Sequence, residues 1–258
     1  MNGRLSYAIA ILLALSPALA RAQGGPPLLT DDPDTPGPGY WEINVAIESE
    51  DGGARTRVQV PDLDINYGAG TRIQLKFEIP WVAVDDASNG RGVGNANAGM
   101  KWRFRGSERE RLAWSIYPQV EFHSSPASLD EIPGSAAPIL HLPTELTVRI
   151  ARLEVNGEIG RSIVTGGNDR WFGGVSTEVE ARYGFEIVGE VHDDKSTDAP
   201  SDFIANVGLR PAITRQLGIL FAVGRSLHSG HGVPPYVRIY AGLQFNLPGR
   251  YESSTPTR

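Results

Sequence analysis

Residues 71–82, TRIQLKFEIPWV, alternate apolar and polar side chains without a slip. Ile73, Leu75, Phe77, Ile79 and Trp81 fall on one side, and Arg72, Gln74, Lys76 and Glu78 on the other. A period of two means a β-strand whose two faces meet unlike environments. The same period recurs from Trp41 to Leu247, and no long stretch repeats at 3.6 residues. The alternation predicts strands at Trp41–Ser49, Arg57–Tyr67, Arg72–Trp81, Asn95–Phe104, Leu112–Phe122 and Leu140–Ile150. It predicts six more at Leu153–Ile159, Trp171–Ala181, Phe185–Val191, Phe203–Leu209, Leu217–Val223 and Val237–Phe245. Pro61 interrupts the second and predicts a bulge there. The fold class expected is all-β, a single antiparallel transmembrane β-barrel of about 12 strands, an even count that leaves both termini on one side.

The pattern alone does not say which face is outside. With the apolar face inward, about twelve strands would enclose a lumen too wide for side chains to fill. With it outward, the closed ladder satisfies every backbone group in lipid and the charges line the interior. A lysine at the lipid midplane costs roughly 2–4 kcal/mol, and few charges fall on the apolar faces. The outward reading is the consistent one.

The connections agree. Counting the first strand upward, the lower turns YGAGT, GSERER, Ala151-Arg152, Arg182-Tyr183-Gly184 and PAITRQ are short. The upper loops, such as VDDASNGRGVG, SSPASLDEIPGSAAP and SLHSGHGVPP, are mostly longer and polar or Gly-rich. Short periplasmic turns and longer extracellular loops are the asymmetry of outer-membrane barrels. Trp41, Trp81, Trp102, Trp114 and Trp171 all fall near strand ends, where amphipathic rings meet a membrane interface.

The remaining segments fit export. MNGRLSYAIAILLALSPALARAQ has one early Arg4, an apolar run from Ala8 to Leu15 and small residues at Ala18, Ala20 and Ala22. That is a secretory signal layout, expected over residues 1–22, with an apolar run too short to span as a helix. A Pro/Gly-rich lead-in, QGGPPLLTDDPDTPGPG, covers residues 23–39, as a linker or a plug-like segment. The barrel is expected over residues 40–247 and a polar tail over 248–258. The chain of 258 residues has no cysteine, so neither a disulfide framework nor a lipid-modified cysteine is available. Its net charge of −6 makes nucleic acid a poor partner. The cell outer membrane of a Gram-negative bacterium is the expected location.

With the faces assigned, the inward residues form a surface. Arg72, Lys76, Lys101 and Arg103 make an expected basic wall, with Glu78 as the exception. Glu145, Glu154, Glu158, Glu178, Glu180, Glu186 and Glu190 make an acidic wall, against Arg149 and Arg182. The two walls would set a transverse field across a narrow aqueous lumen. The alternative is that these charges pair with one another and plug the barrel.

Chemistry-bearing clusters are few. His123-Ser124-Ser125, His192-Asp193-Asp194 and Ser226-Leu227-His228-Ser229-Gly230-His231 all map to the upper rim. A lipid hydrolase would need a hydrogen-bonded pair with an orienting partner, which spacing does not supply. His228 and His231 lack an evident third metal ligand, and Asp85-Asp86 and Asp193-Asp194 read as solvated loops. Gly90-Arg91-Gly92-Val93-Gly94 has no following helix and no P-loop lysine, so it reads as an ordinary loop. No catalytic residue, metal or cofactor is expected.

Three stretches carry a family likeness: LTDDPDTPGPGYWEIN, PDLDINYGAGTRIQLKFEIPW and GNANAGMKWRF. They resemble the bacterial outer-membrane proteins grouped as the phenol-degradation meta-pathway family, often labelled transporters. The resemblance implies an outer-membrane β-barrel associated with aromatic catabolism and carries no established catalytic motif. The last strand, YAGLQFNL from Tyr240, resembles the assembly signal of outer-membrane barrels, although eleven residues follow it. The partners expected are outer-membrane lipids, small solutes and, through that strand, the barrel-assembly machinery.

Overall fold

Every regular element among the described residues is a strand. The structure is a computed structural model and describes residues 25–85, 90–124, 138–182, 184–196, 201–228 and 235–249. The expected signal segment, nearly all of the expected tail, and Ser125, Asp86, Ser229 and His231 lie outside them.

In chain order the strands are β1 (Trp41–Asp51), β2 (Thr56–Gly68), β3 (Ile73–Asp85), β4 (Arg91–Val93), β5 (Ala96–Arg105), β6 (Leu112–Ile116) and β7 (Gln119–Phe122). There follow β8 (Ile139–Ile150), β9 (Leu153–Val164), β10 (Arg170–Arg182), β11 (Phe185–Ser196), β12 (Asp202–Pro211), β13 (Leu217–His228) and β14 (Val237–Leu247). β4 and β5 both pair with β3 and form one stave, broken at Gly94 and Asn95. β6 and β7 both pair with β5 and β8, and are one stave broken at Tyr117 and Pro118, where proline has no N–H for the ladder. β14 pairs with β1 along its whole length, so the antiparallel ladder closes as a barrel of 12 staves.

The expected bulge at Pro61 is present, as a register shift between Gln59 and Asp62. Other boundaries differ. β3 continues past Trp81 to Asp85, β9 past Ile159 to Val164, β11 past Val191 to Ser196, and β13 past Val223 to His228. Above the apolar band charged residues such as Asp85, Arg161, Lys195 and Arg225 join the outer face, so the period fades while the backbone ladder runs on. For the same reason Arg91–Val93, expected as loop, is a strand against Trp81–Ala83.

Burial is inverted relative to a soluble protein. Outward-facing Phe77, Trp81, Ile159 and Val207 are 41–57% exposed, while inward-facing Asn44, Lys101, Glu145, Asn156 and Ser176 are 0–1% exposed. All five tryptophans are exposed on the outer side. Trp41 lies against Tyr67 (4.6 Å between ring centroids), and Phe104 packs between Trp102 (5.8 Å) and Trp114 (5.2 Å). An apolar cluster inside the barrel gathers Ala46, Val188, Leu220, Ala222 and Tyr240 around Leu28 of the lead-in.

Leu28 is there because the lead-in runs inside the barrel. It leaves at the lower rim, where the Gly39 N–H donates to the Gly68 carbonyl (2.8 Å) and the Gly68 N–H donates to the Tyr40 carbonyl (2.9 Å). The crossing is tight: a Cβ on Gly68 would stand 1.7 Å from the Gly37 carbonyl oxygen. Gly68→Val is therefore expected to destabilise the barrel by about 1–3 kcal/mol, as overpacking does. The measurement is the temperature at which unheated samples lose their folded gel mobility. Gly157→Ala, where a Cβ meets open space, should leave that temperature unchanged.

Candidate functional site

The lead-in is an irregular backbone in an enclosed space, so its N–H and C=O groups need partners. The wall supplies them. The N–H groups of Leu29 and Thr30 donate to the two oxygens of Glu190 on β11 (2.8 and 2.7 Å), and that of Asp31 donates to Glu158 on β9 (3.1 Å). In the other direction, Arg210 on β12 donates to the Gly25 carbonyl and Arg238 on β14 to the Pro27 carbonyl, both at 2.9 Å. Carboxylates meet donors and guanidiniums meet acceptors, which is what an unpaired backbone in a charged lumen requires.

The acidic side chains of the lead-in complete the match. Lys101 on β5 reaches Asp31 (2.9 Å) and the Asp32 carbonyl, and stands 3.5 Å from Glu145 on β8 with the Tyr117 ring 4.6 Å away. Asp34 holds two guanidiniums at once, Arg103 at 3.0 Å and Arg149 at 2.6 Å. Ser115, Glu145, Thr147, Asn156 and Ser176 have no solvent exposure at this level, and Thr30 and Asp32 have none either. The lead-in fills the middle of the lumen.

The expected wall residues fall as follows. Lys76, Lys101 and Arg103 face inward; Lys76 pairs with Glu78 (2.7 Å) and Asp64 (3.6 Å). Arg72 does not line the lumen: it precedes β3, is exposed in the turn, and lends only its carbonyl, to the Arg103 N–H (2.9 Å). Glu145, Glu154, Glu158, Glu178 and Glu190 face inward, and Glu180 and Glu186 stand opposite each other near the lower end of β10 and β11. Two opposed walls do not describe the arrangement. Arg210 pairs with Glu178 (2.7 Å) and Arg238 with Glu48 (2.7 Å), on the side expected to be acidic or neutral. Glu42, Glu48, Asp62 and Asp64 put carboxylates on β1 and β2 beside the expected basic wall. Strand parity held the signal for these residues, since Arg238 is in phase with Tyr240 and Gln244, and Asp64 with Asp62 and Asn66. Asp31 and Asp34 carried no such signal, because the lead-in has no period.

Beside the last part of the lead-in, at Asp34, Thr35 and Pro36, a cavity of about 900 Å³ opens among the lower turns, with Glu154, Glu178, Glu180, Glu186, Arg109 and Arg152 in its lining. Beside the lead-in, between Pro26, Asp64, Lys101 and Tyr117, a cavity of about 20 Å³ has room for one water.

Among the described residues the rim clusters make no catalytic pair. Ser226 donates to Asp202 (3.1 Å) and to the His228 carbonyl (3.2 Å), and His192 stacks at 6.4 Å on Phe172. The contact that does link Ser, His and Glu was not expected: His141 joins Ser162 (2.8 Å) and Glu121 (3.1 Å). Ser162 is 1% exposed, so no substrate carbonyl can approach it. The ligand atoms of Asp32, Asp34 and Glu154 lie within 4.8 Å of one another, but Arg149 binds both Asp34 and Glu154 and already supplies the positive charge.

With the geometry in hand, comparison with known proteins adds a fold. No family model matches the chain, and no curated protein does. Among solved structures it is similar to the COG4313 outer membrane channel from Pseudomonas putida F1, at 12% identity and a TM-score of 0.63, over 87% of this chain and 100% of that one. It is similar to the NanC porin at 7% identity and a TM-score of 0.59, over 80% and 100% of the two chains. A KdgM porin in complex with disordered oligogalacturonate follows at 13% identity and a TM-score of 0.54, over 79% and 98%. At such identities the likeness is one of fold.

Two outcomes are expected. Asp34→Ala leaves Arg103 and Arg149 facing each other without their shared carboxylate, and removing one member of a buried pair costs about 3–5 kcal/mol. Amide hydrogen exchange at residues 29–34 should accelerate while the strands stay protected. The second outcome concerns Asp32, which lies in the lead-in. Its carboxyl is pushed up to about 6, first by burial and next by Asp34, with Asp31 adding and Lys101 opposing. A raised value means the docked state favours the protonated form, so this stabilisation is present below the ordinary carboxylate value and is lost as pH rises through about 6. Protection of residues 29–34, corrected for intrinsic exchange, should fall between pH 5 and pH 7.5, and Asp32→Asn should reduce that difference.

Proposed function

We propose that this protein is an outer-membrane channel for small solutes whose lead-in is a lumenal plug. The observation that carries the reading is the inverted burial: an apolar, tryptophan-edged exterior around a buried charged interior. Such a surface is soluble only in a bilayer, and a closed ladder is the form in which strands cross one. The likeness in fold to porins and outer-membrane channels supports it. The lumen offers carboxylates and guanidiniums, which suit small polar solutes. Aromatic compounds are the class suggested by the resemblance to the phenol-degradation family.

A second reading has its own support. The ion pairs joining lead-in to wall are those of a barrel held shut, so the lumen could be a structural core with no transport. The two readings part on removal of the plug. A chain lacking residues 23–36, folded by gel mobility and reconstituted in a planar bilayer, is expected to conduct at least several-fold more than the full chain. A folded but silent truncated barrel would favour the structural reading.

A further inference from the structure

Arginine sits in or beside each lower hairpin turn, yet strand parity would point two of these arginines into the lumen. Arg105 is in phase with Lys101 and Arg103, and Arg182 with Glu178 and Glu180, all inward. Two β-bulges reverse them. The register shifts between Arg103 and Arg105, so that Arg103 opposes Ser115 while Arg105 opposes Trp114. It shifts again between Glu180 and Arg182, so that Glu180 opposes Glu186 while Arg182 opposes Phe185. Directly opposed residues share a face, and Trp114 and Phe185 are on the exposed outer side. Both arginines are exposed. Arg105 adjoins the packed rings of Trp102, Phe104 and Trp114, and the Trp114 indole N–H is fixed by a hydrogen bond to Thr144 (2.7 Å).

An extra residue in a strand re-aims the side chains that follow it. Here both bulges move a cation from the lumen to the outer side at the level where the aromatic band ends. In a bilayer that level is the headgroup zone. A guanidinium binds phosphate oxygens bidentately, and its attraction to an anionic leaflet is worth about fivefold in affinity per arginine. We propose that Arg105 and Arg182 are a phosphate-binding belt that holds anionic phospholipid headgroups of the periplasmic leaflet. The Trp102–Phe104–Trp114 cluster supplies the apolar shelf for the adjoining acyl chain. This rests on the outer-membrane reading above and adds a lipid class and two residues to it.

The test is native mass spectrometry of the full chain in detergent, titrated with phosphatidylglycerol or phosphatidylcholine. Phosphatidylglycerol should be retained about tenfold or more tightly. The R105Q/R182Q double variant should lose most of that preference, and R105K/R182K should keep most of it. Equal retention of the two lipids, an unchanged preference in R105Q/R182Q, or displacement of phosphatidylglycerol by equimolar inorganic phosphate would overturn the proposal. Gel mobility reports whether each variant is folded, and R105Q or R182Q alone serves if the double variant is not. Failure of the folded full chain to enter phosphatidylcholine vesicles would instead count against the outer-membrane reading itself.

Discussion

Charge matching between an irregular backbone and the barrel wall is the interaction on which the interior depends. A lumen with buried lysine, arginine and glutamate is costly unless each charge finds a partner. The wall pairs some of these itself, as Arg210 with Glu178 and Arg238 with Glu48. Others meet the lead-in, whose N–H groups face Glu190 and Glu158 and whose Asp34 draws Arg103 and Arg149 together. The Pro-rich composition suits this role. Several lead-in positions have no N–H to satisfy, and a stiff chain loses less entropy on being confined.

Much of this was legible in the sequence, for reasons that differ by element. Ile73 to Trp81 alternates because one face of β3 meets an apolar medium and the other a polar lumen, and that contrast is written residue by residue. The strand count, the bulge at Pro61 and the outward face follow from it. The upper ends of β9, β11 and β13 were not legible, because there charged residues such as Arg161, Lys195 and Arg225 interrupt the apolar outer face while the backbone ladder persists. Register shifts were the other blind spot. Arg182 belongs by parity to the lumen, and one extra residue in β10 sets it opposite Phe185. Arg72 failed differently, as a turn residue counted as the first of a strand.

The lumen was readable as charged but not as paired. Sequence parity gives the face of each side chain and says nothing of its height or azimuth in a tilted barrel, so Arg238 and Glu48 could not be matched in advance. The lead-in was harder still. Its composition left it as a linker or a plug-like segment, and its place inside follows from contacts such as Arg149 to Asp34, residues 115 positions apart.

The route of the lead-in has a consequence for assembly. β1 and β14 close the cylinder by pairing the first strand with the last, and the segment held inside lies immediately N-terminal to β1. A segment that precedes the first strand is therefore enclosed by a wall completed by β14. Until β14 arrives, Arg238 is not in place to hold Pro27, and the cylinder is still open along one side. The segment either sits in the half-built trough while the wall grows around it, or enters afterwards through a mouth already narrowed by Gly68. The buried partners along β5, β8, β9 and β11 are all made before β14, so the trough is charged and waiting. Closure of β14 on β1 and seating of the lead-in are therefore linked, since Arg238 on β14 holds the Pro27 carbonyl.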